Sequence, residues 1–167
     1  MRHAAISTAL ELALDALENR ADFLASDSPL MNHVVATLRA MCASEQWEKR
    51  DTALSVIVRL IQLSRGAPQP LQLVPHVTTA LSDDQPYVRA TALSALAVMF
   101  AESAPPTEAV LRGIGACGDT EAVVRRAACV FLAAMLQHPQ PDTQRAAAER
   151  LDQMRNAFDR LMFDADW

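Results

Sequence analysis

A pattern of apolar residues around three arginines most strongly constrains the fold of this chain. Arg50, Arg89 and Arg125 are each followed by apolar residues three, four, seven and ten positions later. These are Ala53, Leu54, Ile57 and Leu60, then Ala92, Leu93, Leu96 and Met99, then Ala128, Cys129, Leu132 and Met135. Such spacing places them on one face of an α-helix. The arginines lie 39 and 36 residues apart, about the length of two helices with their turns, so the sequence predicts three helix pairs.

The segment before each arginine helix repeats as well. Leu38, Val77 and Gly113 align in it, and polar turns at 43–45, 82–84 and 118–120 separate the two helices of each pair. Asp84 and Asp119 are predicted N-caps, since a short carboxylate accepts the first free backbone N–H groups of a helix. Proline-containing stretches at 65–70 and 103–106 interrupt the helical pattern between pairs. The predicted pairs therefore span about residues 29–64, 70–102 and 106–138.

This pattern resembles the HEAT family of armadillo-like helical repeats. The family's aspartate in the turn, followed by Val-Arg, Ala and Leu, is carried best by Asp84, Val88, Arg89, Ala92 and Leu93. The third pair matches through Asp119, Val124, Arg125 and Ala128. The first pair departs from the family pattern, because Ser44-Glu45 replaces the aspartate and Lys49 replaces the valine. The resemblance implies an all-α fold, a right-handed α-solenoid of about three helix pairs forming a single domain over residues 1–167. It specifies architecture and leaves function open.

Capping helices are expected at both ends, because a repeat array must cover its terminal faces. Residues 4–20 form a predicted amphipathic helix with an acidic outer side. After Pro139-Gln140-Pro141, Asp142 is predicted to cap a second terminal helix over residues 142–163. Eight helices are predicted in total.

The composition disfavours several classes of partner. A formal charge of −5 and a pI near 5.3 leave no excess of basic charge for a phosphate backbone, so no nucleic acid is expected. No segment reaches the roughly 18 uninterrupted apolar residues of a membrane span, so no membrane partner is expected. Cys42, Cys117 and Cys129 are an odd, widely spaced set that favours core packing in a reducing compartment. A cytoplasmic location is expected, with the nucleus as the alternative.

Three features could suggest a ligand site but favour a structural interpretation. Residues 113–118 match the GxGxxG expression of dinucleotide-binding turns, yet they end a predicted helix instead of following a strand. Gly118 is expected to end that helix, and the other two glycines are expected to allow close packing. The repeated arginines could bind an anion, but pairing with Asp83, Asp84 and Asp119 of adjoining turns is favoured. The four histidines lack metal-ligand spacing and no catalytic motif is present, so neither cofactor nor enzymatic activity is expected.

The second helices of the pairs carry more apolar surface than one packed face requires. Residues 92–101 and 127–136 contain no charged side chain, although a helix buried on one side normally has a polar side. The C-terminal helix, a second copy of the chain, or a partner helix or peptide could cover this surface, and the sequence leaves the three open.

The leading hypothesis is a non-enzymatic scaffold or adaptor that docks a partner helix or peptide, or a second copy of itself, on the concave face. The predicted binding residues there are Thr91, Ser94, Val98, Arg126, Val130 and Ala134. Trp167, in the acidic C-terminal tail, is a second candidate for recognition. The alternative is a HEAT-type enzyme, similar to a DNA glycosylase or a bilin lyase; a glycosylase would need a basic concave surface.

Overall fold

A computed structural model describes residues 29–63, 71–101, 105–148 and 155. Within these residues the chain forms seven α-helices, two 3-10 helices and no β-strand. The α-helices are α1 (Pro29–Cys42), α2 (Trp47–Leu63), α3 (Val74–Ala80), α4 (Pro86–Met99), α5 (Thr107–Gly115), α6 (Ala122–Leu136) and α7 (Pro141–Ala148). The 3-10 helices are Leu71–Leu73, directly before α3, and Ala116–Gly118, directly after α5. The prediction of an all-α fold is confirmed.

The positions of these helices follow the predicted pattern. An α-helix is present in each of the seven predicted helical segments that fall, at least in part, within the described residues. The predicted helix 4–20, most of the predicted helix 142–163 and Trp167 lie outside the described residues. None of the described helices has the length and apolar character needed to cross a membrane. The chain divides into two compact units, Met1–His76 and Val77–Trp167, and its action as a single domain stays a prediction.

The N-terminal unit (Met1–His76) is built around the packing of α1 against α2. Leu38 of α1 and Leu54 of α2 are fully buried, as are Ile57 and Leu60 one and two turns later. These residues occur at the three- and four-residue steps that place them on a single face of each helix. Burying a large aliphatic side chain contributes about 1.5–3 kcal/mol, so the repeated apolar positions account for the pairing of these helices.

In the C-terminal unit (Val77–Trp167), α6 is the central helix. It packs against α4, α5, α7 and the 3-10 helix Ala116–Gly118. The large side chains Phe131, Leu132 and Met135 of α6 are buried, as are Leu93 and Leu96 of α4. Contact with so many neighbours explains why α6 buries apolar residues over more than one narrow stripe.

Gly113 lets α5 approach α6 closely. A Cβ atom at this position would lie 2.6 Å from Cδ1 of Phe131 and closer still to Cε1. The prediction that the glycines allow close packing is therefore confirmed for Gly113. It is wrong for Gly115, because a Cβ atom there would have no neighbour within 4 Å.

Candidate partner-binding face and the turns that position it

The turns leading into α2, α4 and α6 are closed by the same hydrogen bond. In each, a side-chain oxygen accepts the backbone N–H of the residue two positions later, and the helix begins one residue after that donor. The pairs are Ser44 with Gln46 at 3.2 Å, Asp83 with Gln85 at 2.9 Å, and Asp119 with Glu121 at 2.9 Å. A short polar side chain that bonds the backbone two residues onward fixes a turn locally. The N-cap positions are thus Gln85 and Glu121, and the predicted N-caps Asp84 and Asp119 are wrong.

The repeated arginine closes the same turn from within the following helix. Each guanidinium donates through Nη1 to two successive backbone carbonyls of the turn, five and six residues earlier. Arg50 binds Ser44 at 3.0 Å and Glu45 at 3.1 Å, Arg89 binds Asp83 at 2.8 Å and Asp84 at 3.3 Å, and Arg125 binds Asp119 at 2.9 Å and Thr120 at 2.7 Å. Hydrogen bonds from a charged donor are stronger than neutral ones. The arginines therefore hold the helix pairs together, which favours the structural interpretation over an anion site.

Arg89 also bonds to the next turn along the chain. Its Nε and Nη2 donate to Oδ2 and Oδ1 of Asp119 at 2.9 and 2.8 Å, a two-bond arrangement that fixes the orientation of both side chains. Only 15% and 14% of the two side chains is exposed. The predicted pairing of a repeat arginine with the aspartate of an adjoining turn is confirmed for Arg89 and Asp119.

The environment of Asp119 favours its charged form. Burial raises the pKa of Asp119, but the hydrogen bonds from Arg89 and from the backbone N–H of Glu121 together outweigh burial, so the pKa lies below its usual value. One carboxylate thus closes its own turn and binds the arginine of the preceding repeat.

A fourth turn of this kind, which was not predicted from the sequence, leads into α7. Nδ1 of His138 accepts the backbone N–H of Gln140 at 3.1 Å, and Gln144 donates through Nε2 to the His138 carbonyl at 2.7 Å. His138 thus takes the position of the aspartate in the other turns, and Gln144 takes the position of the arginine. Asp142, the predicted cap, lies instead in the first turn of α7.

The predicted binding residues lie on two helices that pack against each other. Thr91, Ser94 and Val98 are on α4, and Arg126, Val130 and Ala134 are on α6. Ser94, Arg126 and Val130 are exposed, and the other three are partly exposed. Together these six residues are called the α4/α6 face below.

Uncharged side chains dominate the α4/α6 face. Val130 is 68% exposed although it is apolar. The hydroxyl of Ser94 donates to the carbonyl of Ala90 at 3.2 Å, so its hydrogen is already used and its oxygen remains an acceptor. Tyr87, one turn before Thr91, is 59% exposed and extends the apolar surface toward the start of α4. Tyr87 was not predicted from the sequence as a binding residue, although its spacing of four residues from Thr91 was a usable signal.

The chemistry of the described residues gives no sign of a metal centre. They contain no group of three or more histidine, cysteine or acidic side chains arranged to hold an ion. Residues 113–118, the GxGxxG match, form the end of α5 and the following 3-10 helix, a setting unlike the strand-to-helix turn of a dinucleotide site.

Comparison with known proteins identifies the repeat. No curated protein and no solved structure matches the chain significantly. Residues 73–102, which include α3 and α4, match the family model of the HEAT repeat. The chain therefore carries a HEAT repeat at residues 73–102, and the predicted resemblance to HEAT-like helical repeat proteins is confirmed.

Proposed function

We propose that this chain is a non-enzymatic scaffold or adaptor that binds a helix or peptide of another protein on the α4/α6 face. The supporting observation is the exposed apolar character of two neighbouring helices, above all Val130 at 68% exposure. An apolar surface that remains in contact with water is favourable to cover, and helical grooves of this kind accept the apolar side of a partner helix.

The wider architecture in this proposal is a right-handed α-solenoid with capping helices at its ends and the α4/α6 face on its concave side. The HEAT match at residues 73–102 supports this arrangement, as do the three turns with equivalent hydrogen bonds. In such arrays the second helices of successive pairs form an extended concave binding surface. A cytoplasmic or nuclear location is part of the same proposal.

The proposed partner is an amphipathic helix with small or branched apolar residues on its buried side. Residues 92–101 and 127–136 offer no charge, so an ion pair within the centre of the interface is not expected. Arg126 lies in the second turn of α6, and its guanidinium favours an acidic side chain of the partner. An acidic residue at one end of the partner helix would therefore set its direction.

Val130→Glu tests this function against a matched control. Val130 and Leu111 are both exposed aliphatic side chains in the C-terminal unit, at 68% and 47%, but Leu111 is on α5. Capture from a lysate of the native organism should recover a defined protein with the wild type and with Leu111→Glu, and lose it with Val130→Glu. The recovered protein is then purified and its binding to all three chains is measured.

Solution mass measurements of the same three chains identify the occupant. A wild-type dimer that becomes a monomer only in Val130→Glu would place a second copy on the face. Unchanged capture profiles and unchanged mass in Val130→Glu, with circular dichroism confirming the helical fold, would refute the proposed binding face.

A further inference from the structure

A histidine is almost entirely enclosed at the point where α6 ends and α7 begins. His138 is 2% exposed, and it lies between Leu136, the last residue of α6, and Pro141, the first residue of α7. Nδ1 of its ring accepts the backbone N–H of Gln140 at 3.1 Å, and its backbone carbonyl accepts a hydrogen bond from Nε2 of Gln144 at 2.7 Å. Both hydrogen bonds join the histidine to the start of α7.

The hydrogen bond at Nδ1 defines which form of the ring the turn accepts. A backbone N–H can only donate, so Nδ1 must present a lone pair and the single N–H of the neutral ring lies at Nε2. Nε2 is shielded from solvent and has no hydrogen-bond partner in the part of the chain that the structure describes. The turn therefore holds a neutral imidazole whose hydrogen bond to Gln140 depends on the lone pair of Nδ1.

A second proton on the ring would oppose this arrangement in two ways. Protonated imidazole is a donor at both nitrogens, so Nδ1–H would face the N–H of Gln140 and the hydrogen bond between them would be lost. The ring would also carry a full charge while almost no part of it contacts water, and a buried charge without a partner is strongly unfavourable. Acid thus favours a conformation in which the ring reaches solvent.

The neighbouring helices offer the protonated ring no counter-ion. α7 packs against α6 and α5. The carboxylates on these three helices are Glu108 and Asp142, and the other ionisable side chains are Arg112, Arg125, Arg126, Cys129 and Arg145. Glu108 pairs with Arg112 at 2.8 Å. Asp142 is 92% exposed and pairs with Arg145 at 3.5 Å. Among the described residues, no charged side chain forms a hydrogen bond or ion pair with the His138 ring.

We propose that protonation of His138 opens the turn between α6 and α7 and releases α7 from its contacts with α5 and α6. Thr143 and Ala147 of α7 are buried while the turn is closed. Release would expose both, together with the surface of α5 and α6 that α7 covers. Histidine in water takes up its proton near pH 6.5, about the range in which histidine-based switches act. The opening does not depend on the proposed partner binding.

The equivalent turns before α2, α4 and α6 should stay closed under the same conditions. Their acceptors are the side-chain oxygens of Ser44, Asp83 and Asp119. A hydroxyl oxygen remains an acceptor at any of these pH values, and carboxyl groups ordinarily take up protons only near pH 3.9. Mild acid should therefore act on α7 and leave α2 unchanged.

Hydrogen exchange of the folded full-length chain measures the opening. The protection factor is the intrinsic exchange rate divided by the observed rate, so it removes the direct effect of pH on amide exchange. The amide of Gln144, which bonds to the carbonyl of Gln140 at 3.2 Å, reports on α7. If only the open turn binds the proton, near pH 6.5, its protection factor should fall about tenfold between pH 7.5 and 5.5. Protection factors in α2 should not fall with it.

His138→Asn removes the titrating group and keeps an acceptor, since an asparagine oxygen can bond the backbone N–H two residues onward. This variant should keep α7 protected at both pH values. His33→Asn is the matched control because it replaces an exposed histidine of α1, and its α7 should open as in the wild type. A wild-type protection factor that does not fall, or an equal fall in His138→Asn, would overturn the proposal. Loss of the fall in His33→Asn would also overturn it.

The imidazole nitrogen chemical shifts of the wild type provide a test that needs no variant. In the closed turn, His138 should show the shifts of a neutral ring with its proton on Nε2. On acidification, the shifts of a protonated ring should appear together with the loss of protection in α7. A protonated His138 in a chain whose α7 amides remain protected would refute the proposal, even if His138→Asn does not fold.

Discussion

Replacement of Gly113 by alanine tests whether close packing of α5 on α6 depends on the missing side chain. The new Cβ atom would lie 2.6 Å from Cδ1 and 3.2 Å from Cζ of Phe131, with Cε1 closer than either. The ring is fully buried, so it can give way only by moving within the protein core. Overpacking of a core typically costs about 1–3 kcal/mol, and contact with three ring atoms places this case at the upper end.

The helix itself would benefit from the same substitution. Alanine is favoured over glycine inside a helix by about 1 kcal/mol, so the expected net loss in the free energy of unfolding is about 2 kcal/mol. Gly115→Ala is the matched control, because Gly115 has helical backbone angles of −56° and −35° and its Cβ would meet no atom within 4 Å. That variant should gain about 0.5–1 kcal/mol.

Urea unfolding followed by circular dichroism measures both variants against the wild type. In thermal unfolding, a difference of about 3 kcal/mol between the two variants corresponds to roughly 6–12 °C in Tm for a chain of this size. Phe131→Leu, added to Gly113→Ala, should be less destabilising than the sum of the single changes because the smaller side chain relieves the contact. If Gly113→Ala is as stable as Gly115→Ala, the ring contact does not explain the glycine.

The turns and the α4/α6 face give further expectations. Asp119→Ala should cost about 1.5–3 kcal/mol in urea unfolding, because Arg89 loses the two hydrogen bonds to its carboxylate in a largely buried site. Asp142→Ala, which removes an exposed 3.5 Å ion pair, should cost less than about 0.5 kcal/mol. Since the folded pKa of Asp119 is lowered, the stability that ionisation adds should be complete above the ordinary carboxyl pKa of about 3.9. This added stability should be lost as pH falls through the pKa of Asp119 in the folded chain. The Asp119→Asn variant should lack this pH dependence. His138→Leu should accelerate amide hydrogen exchange at Gln140, because the N–H of Gln140 loses its acceptor. Unchanged exchange would show that this hydrogen bond does not stabilise the turn.

The helices could be predicted from the sequence because their core positions recur at helical spacing. Leu54, Leu93 and Leu132 each belong to such a pattern, and all three are fully buried. The pairing of Arg89 with Asp119 could also be predicted, since the resemblance places a charged pair at equivalent points of successive repeats. Local pattern and family resemblance agreed at these positions, and the structure follows both.

The turn into α7 could not be predicted in the same way. His138 follows Asp119 by 19 residues, about half the repeat length, so aligning whole repeats does not bring the two together. Imidazole and amide groups replace carboxylate and guanidinium, although they make equivalent hydrogen bonds. The usable signal was a side chain with an acceptor atom three residues before a helix-starting proline, as in Asp83 and Pro86.

The arrangement of charge in α4 leads to an expectation about binding. Arg89 is the only charged residue of this helix, and its guanidinium binds the turn before α4 and the carboxylate of Asp119. Arg89 therefore adds structural hydrogen bonds while the later turns of α4 remain uncharged. On α6, residues 127–136 are likewise uncharged, which leaves Arg126 as the charged member of the α4/α6 face.

A partner that covers this face should consequently be recognised by shape and apolar contact. Salt screens charges on an exposed surface, since the Debye length falls from about 10 Å at 0.1 M to about 3 Å at 1 M. Binding measured by calorimetry should therefore weaken only slightly between these salt concentrations and should show a negative change in heat capacity, the mark of buried apolar surface. Loss of most of the affinity in high salt would assign the interaction to charged residues elsewhere on the chain and would contradict docking on the α4/α6 face.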